Sequence, residues 1–257
     1  MLSFILKQYK VSSKKFLANG RYYENQFVLM NVIMKFFTFI PAFFLAKIKV
    51  SPDTITVISY FSIIFSSGLF LIGQTYEACF LMILFLFFDS LDGDLARLYK
   101  VKSDHGQTMD IFGADLFYIL IPFSISYNLA IFQNVHYFFF EKESILIIGF
   151  LISFCLIFYR LIGLRNYLLF TNFKSINKNK DKQKKKFSTL KSFFDIFEHD
   201  IIRGNFFSEP GFVCNFSILI FLKNFQFVYY YLLVVLFYHI VRTAKLFIGT
   251  IIIYIKK

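Results

Sequence analysis

The stretch "FFDSLDGDLARLYKVKSDHGQTMDIFGAD", residues 87–115, places Asp89, Asp92, Asp94, Asp104, Asp110 and Asp115 at the end of an apolar run. Carboxylates at membrane depth are costly, and several close together repel one another. They persist where something positive stands among them, so the stretch predicts a site for cations. On a helix turning about 100° per residue, Asp89, Asp92, Gly93, Ala96 and Arg97 fall within about 140° of one another, on one face. Gly106 and Asp110, four residues apart, share a face of the next helix. Two such helices joined by a short loop bring Asp89, Asp92 and Asp110 together.

Oxygen ligands at this density suit hard divalent cations such as Mg²⁺ or Mn²⁺. Arg97 beside them suits a phosphate, which a guanidinium grips with parallel hydrogen bonds. Gly93 lets another group approach the backbone. Cation, guanidinium and open backbone together describe a pyrophosphate site. A plainer reading takes these residues as interfacial charges ending two spans, partly neutralised by Arg97 and Lys100. That reading accounts for any one aspartate, but not for five residues on one face with a matching pair opposite.

Working outward, the chain of 257 residues is 57% apolar, holds 40 phenylalanines and is only 17% charged, against roughly 25% in soluble domains. Its mean hydropathy is +0.60. Several runs approach the roughly 20 apolar residues that cross a bilayer, so the expected fold is an all-α integral membrane protein. The formal charge of +12 does not point to nucleic acid. Its lysines gather at the N-terminus and in "KSINKNKDKQKKKFSTLK", between apolar blocks, as in a membrane protein with positive cytoplasmic loops facing anionic lipid headgroups. Cys79, Cys155 and Cys214 lie far apart in apolar segments and form neither a metal motif nor a disulfide framework.

Residues 1–50 read as an N-terminal cytoplasmic and interfacial segment, with an amphipathic helix over 25–49 that Pro41 is expected to kink. Residues 51–250 read as a six-helix domain. Ser51 or Asp53 caps the first span, with Pro52 in its first turn. Spans follow at about 51–72, 78–98, 106–132, 145–170, 211–224 and 226–248, with a Lys-rich loop over 171–210. The loop at 171–192 carries eight lysines, while the loops on the alternate side carry almost none. Six transmembrane helices with both chain ends cytoplasmic satisfy this asymmetry, and the acidic cluster then faces the cytoplasm.

"DSLDGDLARLYKVKSDHGQTMD" fits the pattern D-x₂-D-G-x₂-A-R-x₈-G-x₃-D, and in this the chain resembles the CDP-alcohol phosphatidyltransferase family. Seven of the eight positions in that signature match: Asp89, Asp92, Gly93, Ala96, Arg97, Gly106 and Asp110. "SPDTIT" is similar to the family's opening of the first span. The resemblance implies a phosphotransferase of phospholipid or surface-glycolipid synthesis. It moves a substituted phosphate from a CDP-linked donor, usually CDP-diacylglycerol, to an alcohol acceptor, and CMP leaves. It implies two divalent cations (Mg²⁺ or Mn²⁺) on Asp89, Asp92 and Asp110. Gly93, Ala96 and Gly106 would make room for the nucleotide, and Arg97 would touch its phosphates. It further implies an integral protein of a bacterial inner membrane, with its active site facing the cytoplasm, and a homodimer as one assembly.

The family's final aspartate, its expected general base, falls on Ala114, with Asp115 one residue later. On a regular helix Asp115 points about 140° from Asp110. A one-residue π-bulge over "DIFGAD", eased by Gly113, would return it to the cluster. Otherwise His105 is the base, or activity is lost and the chain binds CDP-lipid or assists a partner. Arg160 and Arg165 resemble arginines that the family turns toward an anionic acceptor, though membrane anchoring accounts for them equally. His239, Arg242 and Lys245 read as anchors of the last helix. A cation transporter, a remote alternative, would need acidic groups at one depth in several spans, and spans one, four, five and six offer few.

Overall fold

The computed structural model describes residues 29–99, 104–133, 135, 143–174, 203–207 and 209–255. Its regular elements are α1 (Leu29–Lys47), α2 (Pro52–Leu71), α3 (Thr75–Tyr99), α4 (Asp104–Phe132), α5 (Ser144–Lys174), a five-residue π-helical turn (Arg203–Phe207), α6 (Glu209–Phe221) and α7 (Phe225–Ile255). No strand occurs among the described residues. The basic N-terminus and the core of the Lys-rich loop lie outside the described residues.

Among the described residues, four helices are long and apolar enough to cross a membrane: Pro52–Leu71, Thr108–Phe132, Ser144–Arg165 and Phe225–Ile251. The expected count of six is therefore not reached by length and composition. α3 has 25 residues but carries the acidic cluster in its last three turns. α6 has 13 residues, about 20 Å of helix, short of a hydrocarbon core of about 30 Å.

The caps follow the sequence. Ser51 Oγ accepts the Thr54 amide at 3.2 Å, and Pro52 opens α2, where a missing amide hydrogen costs nothing. The α2–α3 turn needs Gly73, whose φ is +86°, a region that L side chains rarely adopt. α1 continues through Pro41 as helix from Leu29 to Lys47. Its Ala42 packs with Ile55, Leu91 and Leu95, while Phe36, Phe37, Ile40 and Phe44 point outward.

Serines and aromatics sort as they do in lipid, where close packing rather than water exclusion holds helices together. Ser59, Ser62, Ser66 and Ser67 of α2 are buried, whereas Phe61 and Phe65 face out. Ser66 Oγ donates to the Ala78 carbonyl at 2.7 Å, tying α2 to α3. Inside, Phe85 stacks on Phe117, which meets Phe212 edge-on, and Phe216 joins Phe212 to Phe70. That aromatic column links α2, α3, α4 and α6. At the end of the bundle away from the cluster, Thr75 donates to Asn128 Oδ1 at 2.9 Å and Asn128 Nδ2 to the Phe70 carbonyl at 2.8 Å. α4 and α5 cross at Gly149, where a Cβ would stand 2.7 Å from the Pro122 carbonyl oxygen. The last helix also differs from its reading. His239 is buried beside the Phe207 backbone and the Arg242 guanidinium lies 3.9 Å over the Tyr159 ring, so both are packing residues rather than surface anchors.

Candidate functional site

α3 and α4 form the walls of the site. α3 carries Asp89, Asp92, Gly93, Asp94, Ala96 and Arg97 in its last turns, and α4 carries His105, Gly106, Asp110 and Asp115 from its first. α2 packs against both. Its Thr56 hydroxyl donates to Asp92 Oδ2 at 2.5 Å, and Asp92 is buried. Asp89 is exposed to solvent and yet surrounded by protein, as a side chain lining a cleft must be. Asp110 is exposed.

Asp89, Asp92 and Asp110 stand within electrostatic reach of one another. Asp110 acts on Asp89, and both act on Asp92. Asp53, at the start of α2, adds a fourth negative charge facing Asp110, while Arg97 attracts it. Such a collection carries excess negative charge that a cation would relieve. Among the described residues, however, no three His, Cys, Asp or Glu side chains are grouped tightly enough to hold a metal ion as they stand. By donor chemistry the set fits a hard divalent cation: carboxylates only, drawn from two helices.

Arg97 is placed differently from the expectation of a guanidinium open to phosphate. It forms an ion pair with Asp94 three residues before it, and Asp94 Oδ2 also accepts the Thr38 hydroxyl of α1 at 2.6 Å. Asp94 thus anchors both α1 and Arg97. The i, i+3 spacing was the available signal for this pair. At Gly93 an added Cβ would stand 3.4 Å from Arg97 Nη2, ordinary contact, so nothing in the chain itself demands glycine there. Ala96 and Gly106 are half-buried alongside.

The π-bulge is absent. α4 is a regular α-helix through Phe112, Gly113 and Ala114. Gly113 has another reason to be small: a Cβ would come within 2.8 Å of Tyr60 Cε1, in the α2–α4 contact. Tyr60 itself donates to the Met109 carbonyl at 2.6 Å and meets Phe112 edge-on. With no bulge, Asp115 turns toward α5, where its Oδ1 lies 2.9 Å from Arg160 Nε. Arg160 Nη2 also donates to the Ile111 carbonyl at 3.3 Å, and the guanidinium lies 5.3 Å over the Tyr118 ring.

His105 stands at the exposed start of α4, its Nε2 3.9 Å from Asp53 Oδ2. Arg165 is exposed near the far end of α5, about 140° around the helix from Arg160, so the two arginines do not form one site. Sequence reasoning did not single out Glu209, the first residue of α6. It is half-buried and within electrostatic reach of Asp89, Asp115 and Arg160. A lone glutamate before Pro210 carries no pattern that would have marked it.

The family model described as CDP-alcohol phosphatidyltransferase matches residues 49–197, more than half of the chain and all of the 89–110 pattern. No curated protein matches the chain.

Proposed function

Because the chain belongs to the CDP-alcohol phosphatidyltransferase family, we propose that it moves a substituted phosphate from a CDP-linked donor to an alcohol and releases CMP. The observation that carries this reading is the convergence of Asp89, Asp92 and Asp110 from two helices, in the register of the family signature. In the reaction the acceptor oxygen bonds to the phosphorus bearing the non-cytidine group, and its hydroxyl proton passes to solvent water. The bond from that phosphorus to the CMP oxygen breaks, and CMP takes the electron pair.

Asp89, Asp92 and Asp110 would hold the divalent cations, Mg²⁺ or Mn²⁺. Bound there, those ions neutralise charge on the transferring phosphate and on the CMP leaving group. Thr56 fixes one oxygen of Asp92, so the buried carboxylate presents its other oxygen in a set direction. Gly93, Ala96 and Gly106 leave a shallow face for the nucleotide, and Arg97 reaches its phosphates by leaving Asp94. Asp115 holds Arg160, and no step is placed on His105. The lysine asymmetry supports a site on the cytoplasmic side of a cell membrane, and the family's usual chemistry supports CDP-diacylglycerol as the donor and phospholipid or surface-glycolipid synthesis as the setting.

CMP release by the purified protein, from CDP-diacylglycerol and a panel of alcohols, tests this reading. Chelation of divalent ions should abolish release, and Asp92→Asn should lower it by about 100-fold or more, the scale of losing a charge at a catalytic cation. Full activity without metal would sink the mechanism. The commitment of Asp115 to Arg160, with Ala114 in the signature's last position, favours a second reading: a member that binds CDP-lipid without turning it over. Saturable donor binding with no CMP release would select it.

A further inference from the structure

Arg97, the guanidinium of the 89–110 pattern, rests against its own helix. Its Nη2 donates to Asp94 Oδ1. Nη2, Nη1 and Cζ also stand 3.4, 3.5 and 3.8 Å from the position that a Cβ on Gly93 would take. The guanidinium therefore covers the backbone that glycine leaves bare at position 93. A nucleotide approaching that face meets Arg97 first, and Arg97 meets it with one edge already bonded.

Asp94 is fixed where it holds this arginine. On α3 it lies about 60° around the helix from Arg97 and about 60° from Leu91 on the other side. It thus stands between the face of the site and the face that packs on α1 through Leu91 and Leu95. Its side chain is 13% exposed, against 37% for Arg97. Asp94 Oδ2 accepts the hydroxyl of Thr38, a fully buried residue of α1, at 2.6 Å. The same pair of helices is fastened again where Tyr99 donates to the Val50 carbonyl, just past α1, at 2.9 Å. A carboxylate with two donors keeps one when the other departs. Without Thr38, a released Asp94 would be left charged, largely buried and unbonded.

Resting on the donor-binding part of the reading above, we propose that Asp94 is the resting counter-ion of Arg97 and sets how tightly a CDP-linked donor binds. The donor's pyrophosphate draws the guanidinium off Asp94 and off the Gly93 face, and Thr38 keeps Asp94 bonded once it has gone. Asp94 is a positioning residue: it touches no substrate and acts through Arg97. The pyrophosphate is common to CDP-diacylglycerol and to soluble CDP-linked alcohols, so each is tested.

The full-length protein in nanodiscs, with Mg²⁺, is titrated separately with CDP-diacylglycerol and with CDP-ethanolamine. Asp94→Asn keeps an acceptor for Thr38 and removes the charge that holds Arg97, so the donor Kd should fall about 5-fold, the scale of a half-exposed ion pair. In an Arg97→Gln background the same substitution should leave the donor Kd within 2-fold. Where CMP release is measured, the gain should appear in the donor KM and not in the acceptor KM. Should Asp94→Asn not fold, Thr38→Val decides with the opposite sign: the donor Kd should rise about 3-fold or more, because Asp94 then resists losing Arg97. Donor affinity unchanged or weakened in folded Asp94→Asn overturns the proposal. So does equal tightening in the Arg97→Gln background, which would mean that Asp94 repels the phosphates directly. Failure of the wild-type protein to bind either donor is a different result: it overturns the donor reading itself, and this inference with it.

Discussion

Replacing Asp115 with asparagine separates two roles that the sequence could not: a proton acceptor displaced by one residue, and a counter-ion. The substitution keeps the side-chain shape and removes the charge opposite Arg160. At 2.9 Å the bare attraction, at an effective dielectric of about 20, is about 6 kcal/mol. Desolvation offsets most of that. The two side chains are 28% and 39% exposed, between surface pairs worth under about 1 kcal/mol and buried ones costing about 3–5 kcal/mol to break. A loss of about 2 kcal/mol is expected, since Arg160 retains the Ile111 carbonyl and the Tyr118 ring. In detergent or nanodiscs this should lower the unfolding midpoint by roughly 4–8 °C for a chain of this size. Arg160→Gln should destabilise similarly, and the double variant should recover about 1–2 kcal/mol of the summed loss, because neither unpaired charge remains. CMP release should fall less than about 10-fold, whereas removing a general base costs about 10²–10⁴-fold. Unchanged stability together with a 100-fold loss of turnover would refute the counter-ion role and return Asp115 to the chemistry.

Gly113→Ala should destabilise the protein by about 1–3 kcal/mol through crowding of Tyr60, and Tyr60→Leu, which frees the space, should recover part of that in the double variant; equal stability of Gly113→Ala and wild type would place the α2–α4 contact elsewhere. Gly149→Ala should cost as much or more, because a Cβ there would meet the Ser126 side chain and the Pro122 carbonyl, and neither the Ser126 Cβ nor the carbonyl can rotate away. A reporter inserted after Lys186 and another after the last residue should both read cytoplasmic, and one within 133–144 external. An external reading after Lys186 would reverse the orientation and with it the site's access to cytosolic nucleotide.

The helices themselves were legible. Long apolar runs in lipid leave the backbone no partner but itself, so hydropathy and punctuation place α2 at Pro52–Leu71 and α4 at Asp104–Phe132 within two or three residues of expectation. The cap at Ser51 and the one-face grouping of Asp89, Asp92, Gly93, Ala96 and Arg97 were equally local, because both follow from the turn of a single helix. The span count was less secure, since α6 ends after 13 residues and what lies beside it is not written in its own composition.

Which charge answers which is another matter. Arg97 was expected to face phosphate and pairs with Asp94; Asp115 was expected to bend back to the cluster and pairs with Arg160, 45 positions along the chain. Periodicity gives the direction in which a side chain leaves its own helix, but not the helix that stands there. Gly113 makes the point: on its own it suggested a distorted turn, and beside Tyr60 it is a packing residue in a regular one. By itself the sequence determined the membrane helices, the family signature and the aspartates that repel one another across α3 and α4, because each is a matter of spacing along the backbone. Only the tertiary structure decided that Asp115 belongs to Arg160 and that Gly113 packs under Tyr60, because Coulomb attraction and steric contact act across space between residues whose separation in sequence carries no information about their distance.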